Sequence, residues 1–226
     1  MRKAATWLKK SLDYEFANAD LLQQALTHRS AAGANNERLE FLGDSVLQVI
    51  VSEFLFHARP DASEGRLSRL RASLVKDTTL GEIALELGIG THLILGAGEK
   101  KTGGHRRASI LADAVEAIFG AVYLDAGFDE ARKLIFRAYG ARMKDLPAAG
   151  ELRDPKSRLQ EFLQAQKLEL PKYRLGEVTG KAHQQTFEVT CTIAALDLQT
   201  AGHGTTRRDA EQEAAVTMLT MLEGDN

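Results

Sequence analysis

Asn36-Glu37-Arg38-Leu39-Glu40-Phe41-Leu42-Gly43-Asp44-Ser45-Val46-Leu47 places three carboxylates inside a stretch that otherwise reads as a buried helix. Asn36 is expected to cap it. Leu39, Leu42, Val46, Val49 and Ile50 follow the i, i+3, i+4, i+7 rhythm of a helical core face, and the pattern continues to about His57 before Pro60 ends it. Glu37, Glu40 and Asp44 fall at i, i+3 and i+7 and share another stripe. Carboxylates gathered in this way repel one another unless they share a proton or a cation, and hard oxygen donors suit Mg²⁺ or Mn²⁺ better than zinc. The alternative is a solvated acidic face. Two neighbours argue against it. Gly43 gives up helix propensity with no local return, which predicts close approach of another backbone, and Phe41 is an apolar ring off the core face that needs a partner surface.

A second stretch supplies the complement. Ser109 to Leu124 reads as a helix apolar almost all round, carrying only Asp113 and Glu116 as charges. Buried acids need company, and i, i+3 spacing puts these two on one face. Gly120, one turn on, would let another helix come close. Four acids from two buried helices, Glu40 and Asp44 with Asp113 and Glu116, therefore form the candidate centre; pairing of the acids with Arg69 or Arg71 is the alternative.

The remainder of the first half is helical by pattern. Two short amphipathic helices precede Thr27-His28-Arg29-Ser30, the second capped by Asp20; His28 is read as structural. Arg66 to Val75 follows a turn in which Glu64 sits as a first-turn acid, and Thr78 to Leu87 ends at Gly88. The stretch Gly96 to Arg107 mixes glycines and cations, so it reads as a loop in which Arg106 and Arg107 lie along a phosphate backbone, or as a solvated loop. Residues 128 to 144 read as one more amphipathic helix.

With 226 residues, 44% hydrophobic and 27% charged, the composition is that of a globular protein large enough for two cores, without a disorder signature. There is no apolar run long enough for a membrane span and no apolar leader after Met1-Arg2-Lys3, so a cytoplasmic protein is expected. The single Cys191 cannot form an internal disulfide and reads as a core residue. A net charge of −2 gives no global attraction for nucleic acid, so polyanion binding must be local.

The pattern changes after a small, Pro- and Gly-bearing stretch taken as a linker, residues 147–152, which divides an all-helical domain, 1–146, from a small α+β domain, 153–226. Asp154-Pro155 opens a helix to Gln166, with Ser157, Gln160 and Glu161 away from its core side. Phe187 to Ile193 alternates apolar and polar as a strand does, Tyr173 to Thr179 is its hairpin partner, and a short strand near Leu198 to Ala201 follows. A last helix begins at Thr205 or Thr206. Its order is α-β-β-β-α. Arg207 and Arg208 fall in the first turn of that helix, where the dipole favours anions, and a phosphate between them would resolve the mismatch. Surface charge alone is the other explanation.

The stretch from Asn36 to Leu47, with Ala25-Leu26-Thr27-His28-Arg29-Ser30 before it, resembles the ribonuclease III signature; Gly103 to Arg107 and Ile110 to Ala117 resemble the family's second acidic helix and its approach. From Asp154 onward, through Gly202-His203-Gly204-Thr205-Thr206-Arg207-Arg208, the chain is similar to a double-stranded RNA-binding domain. The resemblance spans nearly the whole chain. It implies a homodimer that hydrolyses phosphodiester bonds in both strands of double-stranded RNA, leaving 5′-phosphates, 3′-hydroxyls and short 3′ overhangs, in the processing of ribosomal and other structured RNA precursors. It implies Glu40, Asp44, Asp113 and Glu116 as ligands of Mg²⁺, for which Mn²⁺ can substitute, with Asp44, Glu116, Glu37 and Glu64 as the catalytic acids and Phe41 at the dimer interface. The implied RNA contacts are Ser157, Gln160, Glu161, Lys181, His183, Arg207 and Arg208. Two rival functions remain at this level: a noncatalytic RNA-binding protein, and a phosphohydrolase for small nucleotides, which would leave the second domain without a purpose.

Overall fold

A computed structural model describes residues 2–146, 154–180 and 185–224. The chain divides into two compact units, residues 1–147 and 148–226. The expected linker, 147–152, and the hairpin-tip residues Lys181 and His183 lie outside the described residues.

The first unit is helical: α1 (Arg2–Leu12), α2 (Ala19–Ala25), α3 (Glu37–Ala58), α4 (Glu64–Val75), α5 (Asp77–Leu87), α6 (Ala97–Lys101) and α7 (Ala108–Tyr139). Its organising contact is α3 against α7, with α5 on another side of α7. The buried side of α3 is Leu39, Gly43, Val46, Leu47, Ile50, Val51 and Leu55. Val49, expected in the core, is 57% exposed: the true buried stripe runs through Gly43 and Leu47, which rotates Val49 out of it. Apolar residues surround α7 on nearly every side from Ile110 to Val122, as a central helix requires.

Local departures from expectation have local causes. Asn36 occupies the N-cap position of α3 but makes no capping bond; Asn35 Oδ1 accepts from the Glu37 amide instead, and Asn36 is buried. Asn18, not Asp20, caps α2. Gly96 to Arg107 is no open loop, because α6 and a short 3₁₀ turn at Gly104–Arg106 fill it. Two of its glycines meet protein: a Cβ on Gly96 would strike the Ser30 carbonyl, and one on Gly104 would meet Glu99. The second acidic helix runs on to Tyr139 across a break at Gly127, whose φ of 81° suits glycine, and a 3₁₀ turn at Gly140–Met143 replaces the expected last turn.

In the second unit α8 (Pro155–Ala165) precedes an antiparallel sheet in the order β1 (Lys172–Thr179), β2 (Thr186–Ile193), β3 (Leu198–Gly204), and α9 (Arg207–Gly224) closes it. Tyr173 lies opposite Cys191 and Ile193 opposite Leu198, with an irregularity in β1 between Leu175 and Val178. Leu159, Leu163, Cys191, Ile193, Ala214, Ala215, Met218 and Leu219 make the core between helices and sheet. The period-two alternation of β2 thus faces one side inward, Cys191 included. The third strand extends to Gly204 because Gly202 lets it lie against α9, where any Cβ would strike Ala210 and Ala214.

Candidate metal centre and nucleic-acid surface

The centre is made by two glycines. A Cβ on Gly43 would collide with the Glu116 carbonyl oxygen and approach the Gly120 amide; one on Gly120 would collide with the Leu39 carbonyl oxygen and stand 3.0 Å from the Gly43 nitrogen. The α3 and α7 backbones are therefore in contact where Glu40 and Asp44 leave one helix and Asp113 and Glu116 the other.

Electrostatics report the convergence. Burial, then the charges of Asp44, Glu40 and Asp113, push the Glu116 carboxyl up to about 8. Burial first, then Asp113 and Glu37, raise Glu40 against the opposing pull of Arg29. Asp113 is raised by burial and by Asp77, with His28 and Arg29 lowering it. Among the described residues no ion pair joins any of the four acids to a Lys or Arg, and Arg71 donates instead to Ser52 Oγ. The pairing alternative therefore fails. Nor do three His, Cys, Asp or Glu side chains among the described residues already stand close enough to hold an ion. The donors are all carboxylate oxygens, mutually repelling and in no ion pair with Lys or Arg, a set that fits Mg²⁺ or Mn²⁺.

A cavity of about 220 Å³ opens on this centre, lined by His28, Arg29, Asn36, Glu37, Glu40 and Asp113. Glu37 lies at 3.7 Å from Arg29 Nη1. His28 Nδ1 is engaged with Ser30 Oγ at 2.8 Å. Glu64, exposed in the first turn of α4, accepts from Ser68 Oγ at 2.7 Å and does not line this cavity. Two residues at the site carried no functional signal in the sequence. Asn36, 2% exposed, leaves Nδ2 without a partner beside the acids, and Asp77, at the start of α5, is felt at Glu40, Asp113 and Glu116. In the sequence Asn36 reads as a cap, and Asp77 falls just ahead of the helix expected from Thr78.

The candidate RNA-contacting residues occupy separate places. Arg106 is exposed, while Arg107 pairs with Glu99 at 2.8 Å. In the second unit Gln160 and Glu161 are exposed on α8, and Ser157 is tied to Asp154 through its amide and its hydroxyl at 3.0 and 2.6 Å. Arg207 reaches Glu211 at 2.9 Å, and Asp209 closes a reciprocal cap with Thr206, so protein carboxylates already meet the dipole at the start of α9. Phe41 is 77% exposed on a groove of about 620 Å³ shared with Leu42 and Leu124.

The chain is thus a helical body with an acid cluster at a glycine-notched crossing, followed by an α-β-β-β-α unit. Family models agree on both halves: Ribonuclease-III-like over residues 18–143, and Double-stranded RNA binding motif over 155–222. Ribonuclease 3 of Alkalilimnicola ehrlichii is 54% identical over 216 residues, covering 96% of this chain and 95% of the relative. The nuclease domain of ribonuclease III from Campylobacter jejuni, as a 2.2 Å crystal structure, matches with TM-score 0.61 and 43% identity, covering 64% of this chain and 99% of that one. Another structure of that domain, described for flexibility in a region involved in dimer formation, matches with TM-score 0.57 and 47% identity over 58% and 93%. The chain belongs to the ribonuclease III family, endoribonucleases acting on double-stranded RNA.

Proposed function

We propose that this protein hydrolyses both strands of double-stranded RNA with Mg²⁺, or Mn²⁺ in its place, held by Glu40, Asp44, Asp113 and Glu116. It leaves 5′-phosphate and 3′-hydroxyl ends with short 3′ overhangs, acts as a homodimer in the cytoplasm, and processes ribosomal and other structured RNA precursors. The observation that carries this reading is Glu116, a half-buried carboxyl held up at about 8 by burial and by four acids, Asp44, Glu40, Asp113 and Asp77, from three helices, and by no base. Such a site gains most from a divalent cation, because binding relieves repulsion that the fold itself leaves uncompensated.

When bound, the cation supplies neutralisation of the scissile phosphate, a more acidic water and stabilisation of the leaving 3′ oxygen. The protein's share is placement. Gly43 and Gly120 hold the two acid pairs against each other, and Glu37 and Glu64 serve as accessory acids. The second unit, through Ser157, Gln160, Glu161, Lys181, His183, Arg207 and Arg208, reads the shallow minor groove and the 2′-hydroxyls, which selects RNA over DNA with little base preference. Arg106 and Arg107 meet backbone phosphates from the nuclease unit. Among the described residues no helix is long and apolar enough to cross a membrane.

Duplex RNA incubated with Mg²⁺ or with EDTA tests the reading. Cleavage with Mg²⁺ alone is expected, with Glu116→Gln and Asp44→Asn inactive yet binding duplex RNA in EDTA as tightly as the parent. Loss of binding in both variants would make the acids structural, and binding without cleavage by the parent would leave a noncatalytic RNA-binding protein.

A further inference from the structure

The Asp44 carboxylate has a partner that none of the sequence signals pointed to. Gln48, one turn on along α3, donates from Nε2 to both Asp44 oxygens, at 3.0 and 3.2 Å. Ser52, another turn on, donates to the Gln48 carbonyl at 2.6 Å and accepts from Arg71 Nη1 of α4 at 3.0 Å. Gln48, Ser52 and Arg71 also share the wall of a cavity of about 540 Å³ with Val49, Glu53 and Phe56.

The chemistry of this partner matters. A Lys or Arg here would neutralise Asp44 and compete with a cation for it; a neutral amide orients the carboxylate and leaves its charge. An ionised carboxylate accepts about four hydrogen bonds, so those from Gln48 leave lone pairs for a metal. The Ser52 and Arg71 bonds act on the backbone of the same turn, tying α4 to it, while the amide acts on the carboxylate itself.

We propose that Gln48 is a positioning residue, holding the Asp44 carboxylate in the orientation in which it receives a divalent cation; this rests on the metal-dependent reading above. Carboxylates that ligate metals are commonly held in this way, and losing such a partner lowers metal affinity by roughly 10–100-fold.

Full-length Gln48→Met, which keeps side-chain volume and removes the donor, and Gln48→Leu as a second removal of the amide, decide the matter. Mn²⁺ binding, titrated by calorimetry without RNA, should weaken by about 10-fold or more in both. Their melting temperatures and their duplex RNA binding in EDTA should match the parent. Half-maximal cleavage should need correspondingly more Mg²⁺, with the rate at saturating Mg²⁺ restored, whereas Asp44→Asn should not recover. A variant that melts with the parent and binds Mn²⁺ within twofold of it overturns the role of Gln48 and leaves the nuclease reading standing. A parent chain that takes up no Mn²⁺ and cleaves nothing overturns both.

Discussion

Glu116 sits at the point where folding and chemistry conflict. Without a cation its carboxyl is raised from the ordinary glutamate value to about 8, so protonation favours the fold. The sign follows: this contribution is complete below the unfolded-state value near 4.5 and is lost as pH rises through about 8. Glu40 and Asp113 are raised by the same burial and crowding, whereas Asp125, Asp154 and Glu211 are lowered by hydrogen-bonding partners and work in the opposite direction. The difference between two proteins therefore isolates the site better than one profile. In EDTA the parent should lose melting temperature between pH 5 and pH 8 relative to Glu116→Gln, and Mg²⁺ at pH 8 should restore it in the parent alone by binding the folded state. Parallel profiles for the two proteins would show that Glu116 is not titrating between those limits.

At the scale of the element, the site depends on how closely α3 and α7 cross. Gly43 and Gly120 are each other's clearance, and a methyl group on either would enter the partner helix backbone. Ala at position 43 gains about 1 kcal/mol of helix propensity. Overpacking against a backbone that cannot yield costs typically 1–3 kcal/mol or more, so the clash wins. Gly43→Ala should lower the urea midpoint and weaken Mn²⁺ binding even where the fold persists. Gly98→Ala on α6, with nothing within 4 Å of the new methyl, should leave both unchanged. An unchanged midpoint for Gly43→Ala would mean that the helices can separate freely, which their contact argues against. The close approach predicted from Gly43 was legible because glycine inside a helix has a cost that something must offset. The inward turn of Asn36 was not, since an asparagine ahead of a helix reads as a cap until its side chain is seen buried.

For the molecule as a whole, the exposed apolar residues are the informative ones. Phe41 is 77% exposed beside Leu124, 54% exposed, over an apolar groove, a surface of the kind that copies of a chain cover. Phe41→Asp is expected to convert a dimer to monomers by sedimentation and to cut cleavage about tenfold or more, given that each 1.4 kcal/mol of lost association is a factor of ten. A dimer that survives the substitution would place the interface elsewhere. The two-unit plan, the change from period 3.6 to period 2, and the identities of the four acids were all present in the sequence alone, because burial periodicity and residue chemistry are written locally. The tertiary structure alone decided that Gly43 meets the Glu116 backbone and that Asp77 and Asn36 join the acids. It alone showed Gln48 gripping Asp44, and Gly96 and Gly104 spent on protein rather than on phosphate. These contacts join residues far apart in the chain, or depend on which rotamer a packed neighbour permits, and neither distance nor rotamer is encoded in the spacing of a single segment.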